Sequence, residues 1–388
     1  MDFEFSEEQR LLKDSVERLL KDRYDFEQRK AYMKEPGGFG RALWKQYADL
    51  GLLGLPFEEA HGGSGGGPVE TMIVAEAFGR ALALEPYLAT VVLAGGLLRH
   101  AGSQPQRDAI LPKVAEGSML LAFAHAERQA RYDLADVATT AKRDGAGYVL
   151  DGQKSLVLNG DAADKLIVSA RVSGNRRDRD GLALFLIDAG APGVTRREYA
   201  TVDGLRAADV TLANVKAGAD AVLGEPGKAF PAIARVADEA IAALCAEAVG
   251  AMAAMHELTL EYLRTRKQFG VPIGSFQVLQ HRAVDMFVAL EQARSMAMLA
   301  TMMTGEPDAR ERRKAISAAK VQIGRSGRIV GQGAIQLHGG IGMTMEYKVG
   351  HYFKRVTAID LTFGDADHHL GLLAKSDGLV PPLHGPSP

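Results

Sequence analysis

Arg266, Gln268, Phe269, Phe276 and Gln277 lie in one short run, RKQFGVPIGSFQ, between two helical patterns rich in Ala and Leu. A guanidinium can grip a pyrophosphate bidentately, amides can read sugar and base edges, and an aromatic side chain can lie against a ring. In that order they suit a dinucleotide. Taken singly, the cations of Arg264-Thr265-Arg266-Lys267 are ordinary complements to a helix C-terminal dipole, with Gly270 and Pro272 as the stop signals. A second set, Gln336, Gly339 and Gly340, stands in QLHGGIGM at the end of another helical pattern. Glycines there most often cap a helix in a left-handed conformation, and they also let backbone come close to a ligand. The cluster His61-Gly62-Gly63-Ser64-Gly65-Gly66-Gly67 has no strand pattern before it and no Gly-Lys-Ser/Thr after it, so it reads as a loop and not as a phosphate cradle.

RKQFGVPIGSFQ resembles the R-x-Q-F-G-x-P-I-x-x-F-Q signature of the acyl-CoA dehydrogenase family, whose members use FAD to desaturate acyl-CoA thioesters. The resemblance implies that this segment serves a neighbouring subunit by clasping the pyrophosphate and adenosine of an FAD whose flavin ring lies in the partner's active site. QLHGGIG is similar to the family's Q-x-x-G-G-x-G, where backbone approaches the adenosine phosphates of the same FAD. LGLLGLPFEEAHGGSGGG resembles a further family segment whose loop borders the acyl pocket. The implied cofactor-binding residues are Arg266, Gln268, Phe269, Phe276, Gln277, Gln336, Gly339 and Gly340. The implied cofactor is FAD and the implied substrate an acyl-CoA, with an electron-transfer flavoprotein or similar protein as electron acceptor.

Desaturation needs a carboxylate to take the proton alpha to the thioester while the flavin accepts hydride from the beta carbon. Where many relatives carry the Glu of Y-E-G-T, this chain has Thr362-Phe363-Gly364-Asp365; where others place it on the first bundle helix, it has Ala240, with Ile241 at the neighbouring arginine position. Both base positions are empty, and no catalytic residue is assigned. Glu239 lies one residue away, about 100° around a helix, and Asp365 is likewise displaced; both are expected to be solvated surface charges. T-E-P-x-x-G-S-D is replaced by AERQARYD (126–133), and G-x-K-x-W-I-T-N-G by GQKSLVLNG (152–160). Framework glycines and Asn159 survive, but Leu156 and Leu158 stand where the Trp and Thr face the flavin ring. A buried polar edge left unsatisfied there would cost about 1–3 kcal/mol.

The parts a subunit gives its own active site are eroded, and those it gives its partner's FAD are intact. The chain is therefore expected to be the base-lacking subunit of a heteromer, paired, as α2β2, with a homologous large subunit that carries the Glu. Within the family, MDFEFSEEQRLLKDSVERLL and GGGPVETMIVAEAFGRALALEPYLATVV resemble the small subunit of bacterial pimeloyl-CoA dehydrogenases. That likeness implies a dicarboxylyl-CoA substrate such as pimeloyl-CoA. Two rivals remain open: an active homo-oligomer with Glu239 or Asp365 as a relocated base, and a non-enzymatic binding protein that keeps the fold.

The elements that must position these residues follow from periodicity. Ser6 is placed to cap a helix through Arg23 carrying Leu11, Leu12, Val16, Leu19 and Leu20 on one face, and further helical patterns cover 39–55, 68–84, 89–101 and 106–115. From 119 to 223 the period alternates, as in Tyr148-Val149-Leu150, 165–169, 182–187 and 209–212, with Asp-Gly and Asn-Gly turns between. Long patterns return at 230–265, 276–303, 310–336 and 351–373, which argue a four-helix bundle. The expected fold is α+β: an N-terminal all-α domain (1–118), a small antiparallel β domain (119–223) and a C-terminal helical bundle (224–388). With 388 residues, 47% hydrophobic and 24% charged, and a net charge of -2, the chain has material for more than one core and no electrostatic signature of nucleic-acid or membrane binding. The lone Cys245 excludes an internal disulfide and a cysteine metal site and reads as packing. The acidic start has no signal-peptide pattern and no apolar run is long enough to span a membrane, so a cytoplasmic location is expected.

Overall fold

The computed structural model describes residues 4–376. Helices α1 (Glu7–Arg23), α2 (Phe26–Tyr32), α3 (Arg41–Asp49), α4 (Pro68–Ala81), α5 (Gly96–Ala101) and α6 (Gln104–Ala115) precede strands β1 (Leu121–Ala124), β2 (Thr140–Asp144), β3 (Gly147–Leu158), β4 (Lys165–Arg171), β5 (Leu182–Asp188), β6 (Val194–Ala200), β7 (Arg206–Ala217) and β8 (Val222–Leu223). Then come α7 (Phe230–Thr265), the short strands β9 (Lys267–Gln268) and β10 (Val271–Pro272), and helices α8 (Gln277–Met303), α9 (Ala309–His338), α10 (Lys348–Leu361) and α11 (Ala366–Ser376). The order helical, β, helical is the one expected.

The chain forms two compact units. One comprises Met1–Gln28, Pro68–Ala83 and Ile241–Pro388. Its α1 begins in a capping box: Ser6 Oγ accepts from Gln9 N at 3.2 Å, and Ser6 N donates to Gln9 Oε1 at 3.1 Å. The apolar face of α1 is narrower than its leucines suggest, because Val16 and Leu20 are buried while Leu11 is 60% exposed. Gly79 of α4 and Gly250 of α7 mark a close helix crossing, since a Cβ on either would come within 1.9 Å of the other helix's backbone, at the carbonyls of Glu247 and Glu76. Cys245 is buried on α7 and burial pushes its thiol up to about 12, which fits packing and no chemistry.

The expected fourth bundle helix, 351–373, is in fact two. α10 stops at Leu361 and α11 starts at Ala366, with Gly364 at φ +115° between them. The buried ammonium of Lys320 donates to the carbonyls of Ile359 (2.6 Å) and Asp360 (2.8 Å), so the end of α10 is closed by a side chain from α9. Asp365 accepts from His368 N at 2.8 Å and caps α11.

The other unit comprises Arg29–Gly67 and Leu84–Ala240. Its sheet has the order β6-β7-β3-β2-β4-β5-β8, with β1 on β4. The pairs are antiparallel except β1 with β4 and the single Thr140–Arg171 pair of β2 with β4, so the sheet is mixed. Leu150, Leu166, Val168, Phe185, Val210 and Val215 fill its core, as the period of two requires. The pattern at 89–101 becomes a π-helical stretch, Leu88–Gly95, leading into α5. Thr90 from that stretch bonds β1, donating to the Leu121 carbonyl at 3.0 Å.

Candidate functional site

The run after α7 is a projecting hairpin. α7 ends at Thr265, ahead of both Gly270 and Pro272, so the glycine and proline shape the turn that follows and do not stop the helix. Val271 pairs with Gln268 and Pro272 with Lys267, leaving Phe269 (φ +56°) and Gly270 (φ +83°) as the two turn residues of a type I′ geometry. The hairpin is locked at its base by Ile273 N donating to the Arg266 carbonyl at 2.8 Å. Phe269 at its tip is 91% exposed and meets Phe276 edge to face at 6.2 Å. Arg266, Gln268 and Gln277 are also exposed, and no acid among the described residues pairs with the Arg266 guanidinium. Apart from that edge contact, a bulky residue held at positive φ with its ring almost wholly in solvent contributes little to the packing of this unit.

The second segment is a glycine turn. Gly339 follows α9 at φ +63°, which explains a glycine there on conformational grounds. Gly340 has no such reason: its φ is not positive, it is exposed, and a Cβ on it would meet nothing within 4 Å. The space in front of it is open. Gln336 is likewise exposed one turn earlier. The two segments meet through a ring stack, Tyr262 on His338 at 4.6 Å between centroids, one turn before Arg266 and one residue before Gly339. A free guanidinium, three amides, two aromatic rings and a bare backbone turn can together hold a phosphate-bearing dinucleotide.

The residues at the two positions where the resemblance leads one to expect a base carry no carboxylate. Ala240 and Ile241 are fully buried aliphatics, and Phe363 is half-buried at φ +59°. Glu239 corrects one expectation, for it is not a solvated surface charge: its side chain is 14% exposed. It accepts from Arg99 Nη2 at 2.6 Å and Arg235 Nε at 3.1 Å, and His100 Nε2 lies 2.8 Å from it. Burial would raise its pKa, yet His100 and Arg99 hold it below the ordinary range, which makes it a poor proton acceptor. Asp365, half-buried, is occupied as the cap of α11.

In the β unit, Leu156 sits at a bulge of β3 with φ +53° and is 50% exposed, and Leu158 is half-buried. The two segments read as eroded nevertheless keep a buried pair that the sequence did not reveal. Lys154 Nζ donates to Glu127 Oε1 at 2.7 Å and to Ser169 Oγ at 3.1 Å, and Glu127 also accepts from Thr139 Oγ1 (2.7 Å) and from the Ala138 (2.8 Å) and Thr139 (3.1 Å) amides. Burial works against the charge of Glu127, but Lys154 and these donors hold it at about 2. Burial pulls Lys154 down to about 8 in spite of Glu127. This is framework, because the carboxylate is saturated by five protein donors counting Gln129. Among the described residues, no cluster of His, Cys, Asp or Glu could hold a metal ion, and no helix is long and apolar enough to cross a membrane.

Known proteins place this architecture. The chain matches the models of the acyl-CoA dehydrogenase N-terminal domain over residues 6–118, the middle domain over 122–215 and the C-terminal domain over 230–377. It is 29% identical over 380 residues to the probable acyl-CoA dehydrogenase YngJ of Bacillus subtilis, covering 97% of this chain and 99% of the relative. A chain of the ChsE4-ChsE5 complex from Mycobacterium tuberculosis superposes with TM-score 0.87 at 26% identity, covering 98% of this chain and 100% of the other. The FAD complex of PigA superposes with TM-score 0.88, again at 26% identity, over 96% and 98% of the two chains. FAD is thus the cofactor that goes with this fold, and the exposed cation, aromatics and bare glycine turn are chemically suited to its diphosphate end. On three domain models that together span nearly its whole length, the chain belongs to the acyl-CoA dehydrogenase family.

Proposed function

We propose that this chain is the base-lacking subunit of a heteromeric, FAD-dependent acyl-CoA dehydrogenase and that it clasps an FAD whose flavin ring is held by a homologous partner subunit. The observation that carries this is an asymmetry of presentation. Arg266, Gln268, Phe269, Phe276 and Gln277 face outward on a hairpin, and Gln336, Gly339 and Gly340 are exposed beside it, while the two base positions hold Ala240 and Phe363. Bound FAD takes up the hydride of α,β-desaturation; this chain's part is to grip the diphosphate with Arg266, to offer the amides of Gln268, Gln277 and Gln336 to ribose and adenine, and to admit the phosphates against Gly339 and Gly340.

Support for an oligomer comes from the same unit. Phe269, Val278, Val284, Phe287, Val288 and Met343 are 49–91% exposed, more apolar surface than a monomer ordinarily leaves in water. The M. tuberculosis neighbour was solved as a complex of two named chains. The likeness to pimeloyl-CoA dehydrogenase small subunits extends the proposal to a dicarboxylyl-CoA substrate, oxidised in an α2β2 assembly that passes electrons to an electron-transfer flavoprotein or similar acceptor. The rival with a relocated base loses ground because Glu239 is ion-paired three ways and Asp365 is a helix cap.

Arg266→Ala tests the clasp. In the complex with the partner subunit, the variant should weaken flavin retention by about 1.5–3 kcal/mol for each charge-assisted hydrogen bond removed. Flavin content after gel filtration measures it, and an unchanged content would remove Arg266 from the cofactor site.

A further inference from the structure

His338 has no role in the account so far, yet it is the point where the two exposed segments meet. It ends α9 and is 3% exposed. One face of its ring stacks on Tyr262 at 4.6 Å with 30° between planes, and Tyr347 lies at 5.1 Å and 47°. Nδ1 is 2.8 Å from the Ala334 carbonyl. A carbonyl only accepts, so Nδ1 carries the proton and Nε2 is a buried acceptor with no hydrogen-bond partner. Burial lowers the ring's affinity for a second proton, against the pull of the Ala334 and Leu258 backbone.

Each ring of this stack borders a segment boundary. The Tyr262 carbonyl accepts from Arg266 N at 2.8 Å, which places the tyrosine in the turn that aims the hairpin. His338 is bonded to Gly339. Tyr347 is the N-cap residue of α10, where the chain resumes after the glycine turn. The returning chain also runs close to His338: a Cβ at Gly342 would come 3.1 Å from the His338 Cβ and 3.1 Å from the Ile335 carbonyl, a tight approach that glycine relieves.

We propose that His338 is a positioning residue. By stacking on Tyr262 and packing at a tilt against Tyr347, with its rotation fixed by the Nδ1 hydrogen bond, it sets the separation of the hairpin at 266–276 from the glycine turn at 339–343. The proposal rests on the reading of these two segments as a joint FAD clasp: a dinucleotide gripped from two sides needs the two grips at one spacing, and a flat, buried, hydrogen-bonded ring is a stiffer spacer than an aliphatic side chain.

The test uses the full chain, alone and in complex with its partner subunit. In the chain alone, His338→Ala should speed amide hydrogen exchange in both 266–276 and 339–347 while α1 keeps its protection; His338→Phe, which restores an aromatic plate, should recover most of it. In the complex, His338→Ala should weaken FAD binding by about tenfold or more, with the phenylalanine variant between it and the native chain. If the alanine variant does not fold, Tyr347→Leu, at the half-buried end of the stack, should give the same paired pattern at smaller amplitude. Faster exchange confined to 339–347, or native flavin affinity in both His338 variants, would overturn the proposal. The two readings fail separately. Native flavin retention in Arg266→Ala removes the clasp itself, whereas a flavin loss with Arg266→Ala but none with His338→Ala removes only the positioning role.

Discussion

Phe363, at one of the two expected base positions, is held in a backbone conformation that its neighbours fix. At φ +59° a residue with a Cβ pays about 1–2 kcal/mol for a left-handed conformation, and here the surroundings impose it. His369 Nε2 is 3.1 Å from the Phe363 carbonyl and its Nδ1 is 3.1 Å from Ser317 Oγ, while Asp365 caps the helix immediately after. A glutamate introduced at 363 would inherit the same backbone. Turnover is nevertheless not expected from Phe363→Glu in the isolated chain, because Leu156 and Leu158 offer no hydroxyl to a flavin ring. Dye reduction with an acyl-CoA measures this, and robust activity of the single variant would show that the ring site had been intact. Glu127 and Lys154 make the complementary point: both belong to segments that look eroded, and both survive as a buried ion pair whose loss would strand a charge.

At the scale of elements, contiguous signals were legible and non-local ones were not. α7 occupies Phe230–Thr265, the span its Ala-rich periodicity indicates, and the strands at 165–171 and 182–188 follow their alternation. The break between α10 and α11 was hidden because the apolar period runs on through it, and the side chain that closes α10, Lys320, comes from another helix. Glu239 was misread for the same reason, since its partners Arg99 and His100 lie on α5, far off in sequence. The two segments proposed to hold the cofactor are each one unbroken run, whereas the ring contacts that join them bring together residues 262, 338 and 347. The α4 and α7 crossing gives a prediction at this scale. Gly79→Ala would drive a methyl to within 1.9 Å of the Glu247 carbonyl, forcing the helices apart, and overpacking of this kind costs about 1–3 kcal/mol. A lowered melting temperature is expected, with Ser64→Ala in the exposed glycine loop as a control of little effect; an unchanged melting temperature for Gly79→Ala would mean the crossing is not that tight.

For the whole molecule, the account turns on one chain completing another. Apolar side chains are exposed along α8 and at the hairpin. On the proposed reading an FAD takes its ring pocket from one subunit and its clasp from the other, and this chain supplies only the clasp. A two-fold pair of unlike subunits then completes one site and leaves its mirror site without a ring pocket. The flavin count per chain tests this most directly, by absorbance near 450 nm on the chain purified alone and on the complex with its homologous partner. The account predicts little or no flavin on this chain alone, one FAD per heterodimer and two per α2β2 assembly. One FAD on every subunit of a pure homo-oligomer would contradict it and restore an enzyme with a relocated base.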